Sequence, residues 1–323
     1  MFFKDKNVLV AGGSGFVGRN LSLRLSDMGA NVTATFHSAK RDRTPKHDNI
    51  NWVWKDLTDP HVCNLLFAGR DFDYVFMCAA NTSGAEVMET TPLVHVTPNV
   101  VMNALIMEAA YRHGVKKFMF LSSNSVYPLS DEPLKEEDMT GEFFHKYFFV
   151  ASMKKFSETL CEMYGSKIKK PMTSIVIRPG NLYGPMDDFE WETSHSTPAL
   201  IRRVVERHAP IEVWGDGSDR KDLMYIDDFV DGILLAMEKI DGFEILNLAS
   251  GHAYSIKETL ETILEVDGYE DAAIVYDPTK PTMIPKRLID ITKAKEMLGF
   301  DPKYTLEQGM RRTIEWYKSL NSA

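Results

Sequence analysis

The chain has 323 residues, 44% hydrophobic and 26% charged, enough to bury a large core and divide into two lobes. Its 46 acidic side chains against 37 basic ones leave a formal charge of -9, and without a long basic stretch no nucleic-acid partner is expected. The start Met1-Phe2-Phe3-Lys4-Asp5-Lys6 has no apolar signal core, and no later segment reads as the roughly 20 apolar residues that cross a bilayer, so a cytoplasmic location and no membrane partner are expected.

Residues 6–11 are apolar and β-prone, a glycine cluster follows, and an amphipathic stretch from Phe16 to Asp27 ends near Gly29, which reads as strand, tight turn and helix. Strands are predicted at 32–36, 74–78, 118–122 and 174–178, with a further strand-like segment ahead of Asp56 and helices at 100–112 and 150–164. That alternation predicts an α/β fold with a parallel, doubly wound sheet covered on both faces. After Pro179 glycine, proline and aromatic residues become frequent, which predicts a smaller C-terminal substrate-binding lobe. The boundaries read as a cofactor domain of 1–178 plus a returning segment at about 222–242, and a second lobe of about 179–221 and 243–323. Cys63, Cys78 and Cys161 lack paired spacing, so they are expected to be small buried apolar residues, with no disulfide framework and no metal.

Gly12-Gly13-Ser14-Gly15-Phe16-Val17-Gly18 satisfies the dinucleotide fingerprint between a strand and a helix. Glycines let the backbone approach a pyrophosphate, and the free N–H groups of the next helix attract it without a basic side chain. Asp56 and Leu57, with Ala79 and Ala80, are placed to line the adenine and ribose sides. At the end of the second strand, where an acidic residue would hold the ribose hydroxyls of NAD, the chain carries Ser38, Lys40 and Arg41. Cations there favour the 2′-phosphate of NADP, with NAD as the alternative.

Together with the glycine loop, Phe120-Leu121-Ser122-Ser123-Asn124-Ser125-Val126-Tyr127-Pro128 and Arg178-Pro179-Gly180-Asn181-Leu182-Tyr183-Gly184-Pro185 make the chain resemble the extended short-chain dehydrogenase/reductases nearly end to end. Ser194-His195, Pro198-Ala199-Leu200-Ile201-Arg202-Arg203, Val213-Trp214-Gly215-Asp216-Gly217, and Lys280-Pro281 followed by Pro285-Lys286-Arg287 are most similar to the GDP-L-fucose synthase group, the GDP-4-keto-6-deoxymannose epimerase/reductases. The resemblance implies a Rossmann-type sheet, a GDP-sugar substrate, Pro179 beside the cofactor, and a homodimer built on helices 100–112 and 150–164. It further implies that Ser123 bonds the sugar oxygen and that Lys154 holds the nicotinamide ribose. Ser125 takes the place of a cysteine that works as an epimerisation base, with His195 as the partner acid. A serine hydroxyl is a far poorer base than a thiolate. Asn181, Arg203, Trp214, Lys221 and Arg287 fall where the family contacts the sugar nucleotide, Lys221 replacing an arginine and losing its bidentate geometry.

Four residues before Lys154 the resemblance calls for a tyrosine that moves a proton to or from the sugar oxygen; Val150 stands there. Tyr147 is the nearest phenol in sequence, but if 147–154 is continuous helix it sits about 4.5 Å further along the axis and leans away. Three readings stay open at this point. The first is hydride transfer at C4 of a GDP-sugar with the proton carried by His195, Tyr147, Ser125 or water. The second is another nucleotide-sugar C4 dehydrogenase, epimerase or dehydratase, and the third a nucleotide-sugar and cofactor binding protein with little turnover.

Overall fold

The computed structural model describes residues 2–37, 47, 49–81, 91, 93–280 and 282–320. The first half runs β1 (Asn7–Ala11), α1 (Phe16–Asp27), β2 (Asn31–Phe36), β3 (Ile50–Trp54), α2 (Pro60–Phe67), β4 (Tyr74–Met77), α3 (Leu93–Arg112), β5 (Lys117–Leu121), α4 (Phe148–Glu162) and β6 (Thr173–Pro179). The second runs β7 (Asn181–Tyr183), α5 (Ser196–Val205), β8 (Ile211–Trp214), β9 (Arg220–Tyr225), α6 (Ile226–Lys239), β10 (Phe243–Leu248), β11 (Ala253–Ser255), α7 (Ile256–Asp267), β12 (Ile274–Asp277), β13 (Lys286–Arg287), α8 (Thr292–Leu298) and α9 (Leu306–Leu320).

Seven strands pair in parallel in the order β10-β6-β5-β4-β1-β2-β3, the doubly wound sheet read from the sequence. Apolar layers cover both faces, which is why β1 reads as a continuous apolar run. Val8 and Val10 pack with Leu21 and Leu25 of α1 and Phe229 of α6, whereas Leu9 and Ala11 pack with Leu66 of α2 and Ile106 of α3. Chain progression reverses between β1 and β4, so their carboxyl ends open onto the crevice where a doubly wound sheet binds ligands.

A second lobe stands over that crevice. Its centre is β9, which pairs with β11, β13 and β7, while β8 and β12 form a separate ribbon. Residues 243–248, assigned from sequence to this lobe, are instead β10, the edge strand beside β6. The crossover through α6 carries the chain back onto the large sheet, while residues 222–225 stay in the small one. The apolar helix read at 100–112 begins at Leu93, and at 20 residues with mean hydropathy 1.2 it is long and apolar enough to cross a membrane by length and composition. That corrects the reading that no segment is. The helix is a layer of this fold, with His95, Asn99 and Asn103 buried on its inner side.

Candidate active site

The glycine loop closes over the end of β1. Gly12 takes a left-handed φ of 81°, and a Cβ there would lie 2.4 Å from the Ala79 backbone. At Gly18 a Cβ would lie 2.2 Å from the Gly12 carbonyl, so α1 can rest on the loop only without a side chain. Gly15 caps α1 with no side-chain hydrogen bond, which leaves the first N–H groups of a twelve-residue helix for an external acceptor. This cradle fits the pyrophosphate of a dinucleotide.

Around it the expected contacts divide. Ser14, Gly15 and Phe16 reach the surface, whereas Val17 and Leu57 are buried in the two apolar layers and act in packing. Asp56 accepts from the Thr58 N–H at 2.9 Å and hydroxyl at 2.7 Å, and these bonds hold its carboxyl below the usual range. Ala79 and exposed Ala80 continue β4 beneath the loop. Sequence reasoning missed that the His37 ring stacks on exposed Trp54 at 5.7 Å on the same side. Ser38, Lys40 and Arg41 lie outside the described residues.

On the other side of the crevice β5 ends in the serine segment. Ser123 Oγ accepts from the Ser125 N–H at 3.1 Å and caps a short 3-10 turn, Asn124–Val126. Asn124 donates to the Pro179 carbonyl at 2.8 Å, tying this turn to the end of β6. Lys154 projects from α4 and donates to the Leu121 carbonyl at 2.7 Å, with its ammonium 5.0 Å above the Phe120 ring. It is only 7% exposed, and burial lowers its pKa from the ordinary 10.5 to about 8, against the opposing influence of Cys78 and Glu158. Val150 sits one turn earlier on the same face. Of the three cysteines, Cys63 and Cys161 are buried as expected, whereas Cys78 is half-buried at the end of β4, its thiol pushed up to about 12 by desolvation.

Beneath the serines lies a buried polar network with roles the sequence did not disclose. Arg178 grips Glu158 with Nε at 2.9 Å and Nη2 at 2.8 Å, side chains 1% and 0% exposed. Ser122 donates to the same carboxylate at 2.6 Å, while the Tyr127 hydroxyl receives Arg178 Nη1 at 3.0 Å and donates to Asn247 Oδ1 at 2.6 Å. The available signal was Glu158 four residues after Lys154, on one helix face, with an arginine ending an apolar strand.

Tyr147 does not belong to a continuous helix: His145–Tyr147 is a 3-10 turn and α4 starts at Phe148. Its ring packs edge-on to Phe144 at 5.9 Å, and its pKa is raised to about 12 by desolvation, opposed by the nearby Arg287 guanidinium. The phenol thus faces the second lobe rather than Lys154.

In that lobe Lys221 of β9 and Arg287 of β13 are paired in register, two cations on adjacent strands. Lys221 donates to the Ile284 carbonyl and lies 3.6 Å from Asp219. Arg287, fully buried, donates to the carbonyls of Pro128 at 2.8 Å and Tyr127 at 3.2 Å, while its Nε has no partner among the described residues. Desolvation lowers it to about 10. Those bonds set β13 against the serine segment. Exposed Trp214 donates to Glu212 at 3.0 Å, and the Arg203 guanidinium, 5.1 Å over Trp191, feels the same carboxylate. Asn181 is exposed at the start of β7.

His195 stands exposed at the N-terminal cap of α5, with desolvation lowering its pKa below the ordinary value and Asp188 opposing. Ser125 Oγ is buried with no hydrogen-bond partner among the described residues.

The pattern of the NAD dependent epimerase/dehydratase family matches residues 8–249. GDP-L-fucose synthase 1 of Arabidopsis thaliana is 30% identical, over 97% of this chain and 94% of its own. GDP-L-fucose synthase of Escherichia coli (strain K12) is 29% identical over 97% and 96%. The crystal structure of a UDP-glucose 4-epimerase from Thermotoga maritima superposes with a TM-score of 0.88 at 27% identity, covering 98% of this chain and 99% of that one. A glycine cradle, a buried lysine beside a serine turn and these relatives lead to one statement: the chain belongs to the NAD-dependent epimerase/dehydratase family.

Proposed function

We propose that this protein is a nicotinamide-dependent oxidoreductase that transfers hydride at C4 of a GDP-linked keto or deoxy sugar, with NADP as the favoured dinucleotide and NAD as the alternative. One observation carries the reading: Arg287 is bonded to the carbonyls of Tyr127 and Pro128, four and five residues past Ser123, which ties the in-register cations Lys221 and Arg287 to the serine segment and supports a diphosphate site beside it. A dinucleotide on the glycine loop supplies or accepts the hydride. Lys221 and Arg287 hold the diphosphate and Ser123 orients the sugar oxygen. The guanine preference rests on the GDP-L-fucose synthases among the relatives.

Inversion at C3 and C5 lies outside this proposal, because a serine hydroxyl is a poor base and Ser125 Oγ has no hydrogen-bond partner among the described residues to take its proton. A homodimer goes with it. Phe149 and Phe156 on α4 and Met163 just past its end stand seven residues apart, 40–48% exposed, with α4 packed next to α3, and this stripe suits a four-helix contact between two copies.

Mixing the protein and NADPH with GDP-4-keto-6-deoxymannose should bleach the reduced-nicotinamide absorbance, and the product should keep its C3 and C5 configuration by NMR. Saturable binding of both ligands without bleaching would instead make this a binding protein.

A further inference from the structure

Val150 removes the phenol that resemblance places one turn before Lys154, and among the described residues none of the other candidate donors contacts Lys154. Tyr147 is turned to Arg287. His195 caps α5 beside Asp188 in the other lobe. Ser125 is buried without a base.

What remains at the joined ends of β4 and β5 is an ammonium group. Lys154 is enclosed, donates one N–H to the Leu121 carbonyl, and has no carboxylate within ion-pair distance among the described residues. Glu158, the acid one turn on, is already engaged by both arms of Arg178 and by Ser122. A buried ammonium of this kind is held by backbone and ring face rather than by a counter-ion, and its other two N–H bonds are available to a ligand.

We propose that Lys154 is itself the proton donor to the sugar oxygen, a role that rests on the hydride-transfer reading above. As hydride from the reduced dinucleotide bonds to the carbonyl carbon, the C=O π pair moves onto oxygen and takes a proton from Nζ. One N–H bond breaks, an O–H bond forms, and the neutral amine left behind regains its proton from solvent. In the oxidative direction the neutral amine accepts the hydroxyl proton while hydride leaves carbon.

A lysine suits this because desolvation disfavours its charged form, bringing it near the operating pH where an acid is most effective. The titratable groups around it are Cys78 from the end of β4, Glu158 from α4 and, behind Glu158, Arg178 of β6; β5 presents only backbone and Phe120 here.

Two measurements test it. In protein labelled at lysine 13Cε, the Lys154 resonance, identified by its absence in Lys154→Arg, should titrate near pH 8; a midpoint near 10.5 overturns the proposal whether or not any GDP-sugar is turned over. Lys154→Arg keeps a cation that cannot give up its proton. At saturating reduced dinucleotide, single-turnover hydride transfer by this variant should fall about 10²-fold or more. Adding Val150→Tyr to that variant should recover most of the loss by supplying a phenol. A Lys154→Arg rate within threefold of wild type, or no recovery in the double variant, also overturns it.

Discussion

Two buried cations a short distance apart are treated oppositely. Arg178, under the serine turn, is gripped by Glu158 through two hydrogen bonds and belongs to a network reaching Ser122, Tyr127 and Asn247. Arg287, in β13 of the second lobe, donates to two backbone carbonyls and lies 6.0 Å over the Tyr127 ring, with no carboxylate partner and an unpartnered Nε among the described residues. Lys154, above Arg178, is like Arg287. A buried charge that is fully paired is scaffold, because nothing is left for a ligand to satisfy. Those left unpaired keep the unfavourable desolvation of an isolated charge until an anion, a ribose or a reacting oxygen reaches them.

The largest effect that can break this comparison is expected in the paired region. Glu158→Gln leaves the Arg178 guanidinium buried without its counter-charge and should lower unfolding stability by about 3–5 kcal/mol, read from the denaturant midpoint. An unchanged midpoint would show that the pair is not scaffold. Arg287→Met should change stability by no more than about 1 kcal/mol, because the lost bonds to two carbonyls are offset by the relief of a desolvated charge. Calorimetry should find GDP binding about 30-fold weaker, equivalent to about 2 kcal/mol. If GDP affinity is unaltered, Arg287 belongs with Arg178.

Lys154→Met should stabilise the ligand-free protein while removing activity. The charged form is disfavoured in the fold, with the pKa down from 10.5 to about 8, so wild type carries a penalty of up to about 3 kcal/mol wherever the side chain is charged in both states. The gain should therefore be complete below pH 8, shrink as pH rises from 8 to 10.5, and vanish above that. Melting curves at pH 7 and pH 10 check the sign, and a gain growing with pH would contradict it. Ser125→Ala should have the smallest consequence: less than about 1 kcal/mol in stability, since its hydroxyl has no partner to lose, and turnover within about threefold. A tenfold loss of turnover would restore Ser125 as a working base.

Legibility followed the range of the interactions. The glycine loop and the alternation of strand and helix could be read because each belongs to a local pattern or a motif of fixed spacing, whereas Ser123, Lys154, Lys221 and Arg287 were singled out only through the family resemblance. Residues 243–248 were misassigned because the run Phe-Glu-Ile-Leu-Asn-Leu says strand but not which sheet; pairing with β6 across more than sixty residues decides that. The start of α3 was missed because Pro98 and polar His95, Asn99 and Asn103 interrupt the apolar pattern, and the fold turns those polar groups inward. Val17 and Leu57 sit inside motif windows, yet their side chains point to the core.

By itself the sequence determined a doubly wound sheet with a dinucleotide turn, because these depend on residue type, period and spacing along the chain. Only the tertiary structure decided which charges are satisfied. Glu158 takes Arg178 and leaves Lys154 to the Leu121 carbonyl and the Phe120 ring, while Tyr147 lies under the influence of Arg287. Hydrogen bonds and desolvation act over a few ångströms in space, and the partners that fix them lie tens to more than a hundred residues apart in the chain.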